Sequence, residues 1–193
     1  MSDFRRVSPR RKVAPPKVSK YQEYKDSLRE DFHQRCGYCG DHDFFQDTRY
    51  EIDHFVPKCI DSSREKDYSN LVFSCRRCNN SKRAQWPTND KDKPNDGCVG
   101  WVDPCDPRYS DNFERLSDGS IKSATQLGDW MWTALSLGNP THRLVWVLEE
   151  IHKELEQATS LEITNPDELQ SIQKLAKRYL NFMENLRGTP NFK

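Results

Sequence analysis

The sequence contains no apolar stretch approaching the roughly 18 residues that cross a bilayer, which excludes a membrane-spanning helix. It does not open on an apolar segment of the kind that directs secretion, so a cytoplasmic protein with no membrane partner is expected. Net charge is also missing. Thirty Lys and Arg stand against 30 Asp and Glu, which argues against a protein that simply coats nucleic acid. No internal repeat is visible. Nor is there an even cysteine count: seven thiols without a secretion signal disfavour a disulfide framework. The 193 residues, 34% of them hydrophobic, suffice for one ordinary domain or a small catalytic unit with a second small one.

What charge there is falls unevenly. Residues 1–25 hold eight basic side chains (Arg5, Arg6, Arg10, Arg11, Lys12, Lys17, Lys20, Lys25) against Asp3 and Glu23. With Pro9, Pro15 and Pro16 this segment reads as an extended arm that buries no core. It has two open readings, a strand of cations along phosphates and a solvated terminus.

Composition divides the chain into a basic flexible arm (1–20), a cysteine-bearing core (21–86), an irregular connection rich in Pro, Asp, Asn and Gly (87–123) and a helical C-terminal region (124–193). The connection shows no period of 2 or 3.6, and is ordered only if it packs on its neighbours. The last region predicts three helices. Leu127, Met131 and Leu135 repeat before a break at Gly138. Asn139-Pro140 opens a second run in which Leu144, Leu148, Ile151 and Leu155 share a face. Asn165-Pro166 opens a third, with Glu168 placed for a capping box and Gly188 as the stop.

Four cysteines carry the first chemical signal. Cys36-Gly37-Tyr38-Cys39 and Cys75-Arg76-Arg77-Cys78 are two CxxC turns, each able to aim two thiolates at one ion. Together they complete a closed tetrahedral zinc site with no position left for substrate, so the zinc is expected to be structural. Between the turns lie Asp53 and His54, at the end of a strand-like segment at 48–52. Strand neighbours point to opposite faces, so this pair shares a pocket only if the strand ends or twists there. Residues 70–74 (NLVFS) read as a second strand, and 78–83 as a short helix stopped by Trp86-Pro87.

The order CxxC, Asp-His, Asn-Leu, CxxC-Asn-x-x-Lys resembles the HNH endonucleases of the ββα-metal superfamily, with His54, Asn70 and Asn79 at the signature positions. Asparagine stands where the family name implies a last histidine. The resemblance covers about residues 32–83 and implies an α+β protein: a zinc-stapled ββα-metal nuclease core with a helical C-terminal region. It further implies that His54 is the general base, that Asp53 and Asn79 hold one catalytic Mg²⁺ or Mn²⁺, and that Asn70 orients the loop that aims His54. A neutral imidazole accepts a proton near neutral pH, and carboxylate and amide oxygens suit hard cations. Lys82 has a counterpart in the family pattern and is expected on phosphate oxygens. Arg83, Arg76 and Arg77 are nucleic-acid-binding candidates, with a solvated helix face equally open for Arg76 and Arg77. DNA is the expected substrate; RNA cleavage and a non-catalytic zinc-stabilised binding module are the rivals. Residues 100–114 and 127–140 are also similar to the tails of small HNH proteins in Septu-like and retron-associated anti-phage systems, which implies an ATPase partner. His33 and His42, which flank the first CxxC turn, are expected to be surface or hydrogen-bonded residues, and His142 and His152, on polar helix positions, to be solvated. Cys59, Cys98 and Cys105 are expected to be buried or free thiols, and the tryptophans packing anchors.

Overall fold

The computed structural model describes residues 4–13, 15–45, 49–159 and 166–188. Its centre is an antiparallel pair. Strand β1 (Tyr50–His54) lies against β2 (Leu71–Cys75), with Tyr50 opposite Cys75 and His54 opposite Leu71. All five residues of β2 are buried, which is why it reads as a continuous apolar run rather than an alternating one. Strand β1 runs two residues further than expected, because pairing with Val72 and Leu71 carries the ladder through Asp53 and His54. Helix α2 (Arg76–Lys82) starts before Cys78, since Cys75 takes an extended N-cap conformation and its sulfur accepts from the Cys78 N–H at 3.5 Å. Strand, strand and helix form a ββα unit, and α1 (Lys25–Asp31) packs on β2 from outside.

The first CxxC turn lies flat on that surface. A Cβ on Gly37 would stand 2.7 Å from a Phe32 ring carbon and 2.9 Å from a Val72 methyl, so only glycine lets the turn approach so closely.

Residues 87–123 pack on their neighbours. Trp101 and Tyr109 are fully enclosed; the Trp101 indole donates to the Gln85 carbonyl at 2.7 Å. Within this connection, β3 (Phe113–Arg115) pairs antiparallel with β4 (Ile121–Ser123), a second small sheet. Three-residue strands are too short to leave a period in the sequence. Helices α3 (Gln126–Ala134), α4 (Pro140–Thr159) and α5 (Pro166–Gly188) follow. Asn139 caps α4 as expected, its side-chain oxygen accepting from the Thr141 N–H at 2.9 Å. The cap at Asn165 lies outside the described residues. Helices α4 and α5 pack together, burying Val145, Leu148 and Leu186 with Phe45. No helix is long and apolar enough to cross a membrane.

The basic arm is not free. Phe4 is 2% exposed and sits at 4.8 Å from the Phe113 ring. Arg5 donates to the carbonyls of Gly37 and Pro104, Arg6 pairs with Glu149 and Glu150, and Arg11 donates to the Leu71 carbonyl and to Asp103. Arg5 turns inward to the first CxxC turn, whose carbonyls take up donors from several segments. Each finds a donor elsewhere in the chain: Gly37 from Arg5, Tyr38 from Tyr109, Cys39 from Arg115, Gly40 from Arg35 and Asp41 from Tyr50. Bonds from charged donors contribute roughly 1.5–3 kcal/mol each, so arm, connection and β3 are all fastened to this one turn.

Candidate active site and metal centre

Cys36, Cys39, Cys75 and Cys78 are buried and bring their sulfurs within 4.8 Å of one another. A tetrahedron of Zn–S bonds sets sulfur–sulfur edges of roughly 3.8 Å; Cys39 and Cys75 stand 3.9 Å apart. The cluster is built to hold a metal, with four soft donors and no open face.

His54, at the end of β1, is enclosed by Tyr21, whose ring meets the imidazole edge-on at 4.7 Å, and by the 56–65 loop. Its Nε2 lies 3.0 Å from the Glu65 carbonyl. A carbonyl only accepts, so Nε2 carries the hydrogen, and Nδ1 keeps its lone pair whenever the ring is neutral. Burial lowers the pKa below its ordinary value, while the Glu65 bond works the other way. Fully buried Asn70 fixes this loop. Its oxygen accepts from the Val56 N–H at 2.8 Å, and its amide donates to the carbonyls of Val56 and Arg64, one residue before Glu65.

The opposite side of β1 faces α2. Two strand carboxylates, Glu51 and Asp53, meet two helix residues one turn apart, Asn79 and Lys82. Asn79 Nδ2 donates to Glu51 Oε2 at 2.6 Å; Lys82 Nζ lies 2.9 Å from Asp53 Oδ2 and 2.9 Å from the His54 carbonyl. Tyr38 donates a second hydrogen bond to Asp53 Oδ2 at 2.5 Å. Residues two apart on a strand and three apart on a helix each share a face, so the pairing follows from the two periods. The four sulfurs, the held imidazole and this strand–helix seam all fall within one stretch of chain.

Residues 36–85 match the HNH endonuclease family. No curated protein and no solved structure matches the chain. The HNH segment is about a quarter of the sequence, and it contains the four cysteines, His54, Asn70, Asn79, Asp53 and Lys82.

Within the HNH segment the expected site residues divide. Asp53 and His54 do not share a pocket: the strand stays regular, Asp53 turns to Tyr38 and Lys82, and His54 to Tyr21 and Glu65. Asn79 meets Glu51 rather than Asp53. The expectation that Lys82 lies on phosphate is corrected. Its side chain is 0% exposed and its ammonium is held by Asp53 and the His54 carbonyl, out of reach of a backbone phosphate. Arg76 and Arg83 are exposed, Arg83 donating to the Asn80 carbonyl. Arg77 is half-buried, with Nε and Nη1 lacking a hydrogen-bond partner among the described residues.

The β1–α2 seam offers the carboxylates of Glu51 and Asp53 and the Asn79 amide, which here donates its N–H to Glu51 and would offer its oxygen after a half-turn, a donor set that suits a hard divalent cation. Glu51, Tyr38 and the Glu65 carbonyl were missed from the sequence. Glu51 was available as the residue two before Asp53, on the same face of the strand. Another expectation fails outright. His142 is not solvated: it is 1% exposed, and Nδ1 lies 2.6 Å from Asp41 Oδ2, with Cys39 completing a buried trio. His152 packs among Phe44, Phe45 and Tyr179. Cys59 and Cys98 are exposed and Cys105 partly so. Trp101 and Trp130 pack edge to face, while Trp146 lies under Arg6 and Arg115, so these rings are anchors.

Proposed function

We propose that the chain is a metal-dependent endonuclease that hydrolyses phosphodiester bonds in DNA, with the HNH segment as its catalytic unit and the four-cysteine cluster holding a structural zinc. The observation that carries this reading is the orientation of His54: the Glu65 carbonyl fixes the hydrogen on Nε2 and leaves Nδ1 as a base. Nδ1 takes the proton of a water attacking phosphorus. The Glu65 carbonyl keeps its bond to Nε2–H as the ring becomes cationic. Asn70 pins the loop that presents that carbonyl. The β1–α2 seam, with Asn79 among its residues, would hold a Mg²⁺ or Mn²⁺ ion, which would supply charge stabilisation for the scissile phosphate and the leaving oxygen. Arg76 and Arg83 are the exposed cations for flanking phosphates.

The test is plasmid cleavage with Mg²⁺ or Mn²⁺ by the natural chain and by His54→Ala. Removing a general base lowers turnover by roughly 10²–10⁴-fold, with zinc content and helix signal unchanged. Full activity in the variant overturns the mechanism. DNA binding without cleavage by the natural chain favours the binding-module reading, and faster cleavage of an RNA of equal length favours RNA as substrate.

We further read the C-terminal helices as the element that docks an ATPase partner of an anti-phage defence system. On α5, Leu169 and Leu180 are exposed and stand three helical turns apart on one face. Co-purification with such an ATPase that survives Leu169→Glu/Leu180→Glu would dispose of this part.

A further inference from the structure

His54 is hydrogen-bonded at one ring atom, and one bond does not aim a ring. The Glu65 carbonyl takes the Nε2 hydrogen at 3.0 Å. The torsion that turns an imidazole about its stem is broad, so the ring could still tilt about that bond and swing Nδ1 with it. The second contact comes from Tyr21. Its ring lies 4.7 Å from the imidazole at 72°, an edge-to-face pairing with a preferred orientation. Carbonyl and ring together leave the imidazole one plane, and Nδ1 one direction.

Tyr21 precedes the segment of residues 36–85 that matches the HNH family, and several contacts keep it in place. Tyr21–Tyr24 form a turn of 3₁₀ helix leading into α1, closed at its start by Glu23, whose carboxylate accepts from the Ser19 hydroxyl and the Lys20 N–H. The Tyr24 ring meets Tyr68 edge-on at 4.8 Å. The Tyr68 hydroxyl in turn donates to Asp31 Oδ2, at the end of α1, at 2.7 Å. Lys58 closes the arrangement. Its ammonium lies 5.5 Å from the centre of the Tyr21 ring and 3.3 Å from Glu65 Oε1, on the residue whose carbonyl holds Nε2. The two restraints on the imidazole are thus braced against each other.

We propose that Tyr21 is a positioning residue for the general base, so that the active site begins in the chain before the HNH segment. This rests on reading His54 as the base, so one test follows cleavage and a second follows the ring alone. The first is plasmid cleavage with Mn²⁺ by the zinc-loaded full chain. Tyr21→Leu, which keeps an apolar cover without the ring, is expected to lower kcat by roughly 10–100-fold, with KM, zinc content and circular dichroism as in the natural chain. Tyr21→Phe keeps the ring and is expected to restore kcat. Because Tyr21 acts through the imidazole, adding Tyr21→Leu to His54→Ala should slow cleavage no further. Natural turnover in Tyr21→Leu overturns the proposal, as does an extra loss in the double variant or a failure of Tyr21→Phe to restore kcat. The second test is the His54 Nε2–H resonance in proton–nitrogen NMR spectra, assigned by its absence from His54→Ala. It is expected in the natural chain and in Tyr21→Phe, and should be lost to exchange with water in folded Tyr21→Leu. Its persistence there overturns the proposal. If the resonance follows this pattern but the natural chain cleaves neither DNA nor RNA, Tyr21 still positions the ring and the nuclease reading falls.

Discussion

Lys82 shows how far a side chain's role depends on what its neighbours leave it. Its sequence pattern suggested a phosphate contact, yet burial beside Asp53 makes it a clamp between helix and strand. The two roles predict different salt behaviour. If Arg83 or Arg76 touches phosphate, replacing it with Ala should lower the slope of log affinity against log salt by about 1. Lys82→Met should leave that slope unchanged and instead cost about 3–5 kcal/mol of stability, by abandoning the buried Asp53 carboxylate. Salt titrations of DNA binding and denaturant melts read the two effects separately. Asn70 belongs to the same scale. Replacing it with Ala leaves the Val56 N–H without its side-chain acceptor and removes the donor to Arg64, at roughly 1–3 kcal/mol for a buried group left unsatisfied. Cleavage should fall with it, because the loop that holds His54 loosens. His54, Asn70 and the cysteines were legible because their types and spacing encode chemistry. The pairing of Glu51 with Asn79 and the burial of Lys82 were not, since they depend on which strand residue faces which helix residue.

At the scale of elements, helical periodicity over 124–188 was legible because α3, α4 and α5 are long enough to repeat a pattern. The β3–β4 hairpin was not, because its strands hold three residues each. What docks α3 is also invisible in a periodicity. Gly128 brings the helix against the preceding turn so closely that a Cβ would meet the Asn112 carbonyl oxygen at 2.2 Å. Thr125 caps the helix at Gly128 and donates to Asn112, tying the same two elements together. On propensity alone, Gly128→Ala would stabilise the helix by about 1 kcal/mol. Packing reverses the sign: the substitution should lower the melting temperature by several degrees, because α3 must move off the turn. A rise would mean that the helix docks less tightly than its geometry indicates.

Across the whole molecule, the first CxxC turn is where distant segments meet. The turn's carbonyls take donors from the arm, from α1's C-terminal side, from the connection and from β3, and the buried His142–Asp41 pair joins α4 to the same place. Burial lowers the pKa of Arg5 and of Arg115; Tyr109 and Cys105 and then Cys36 act against it at Arg5, and Asp41 and then Cys39 at Arg115. A zinc tetrathiolate is net negative, and supplies the counter-charge that two enclosed guanidinium groups need. Once the ion is removed the thiols take up protons, and that counter-charge disappears. Zinc loss should therefore unfold more than the ββα unit. Chelation is expected to abolish the helix signal of α3, α4 and α5 in one transition with the core, followed by circular dichroism. Thiol titration offers the parallel count. With zinc bound, exposed Cys59 and Cys98 react first and Cys105 slowly, its pKa pushed up to about 11 by burial. After chelation the four ligand cysteines join them together with the loss of helix. Helices that persist once those four thiols are reactive would show that the tail folds without the zinc turn.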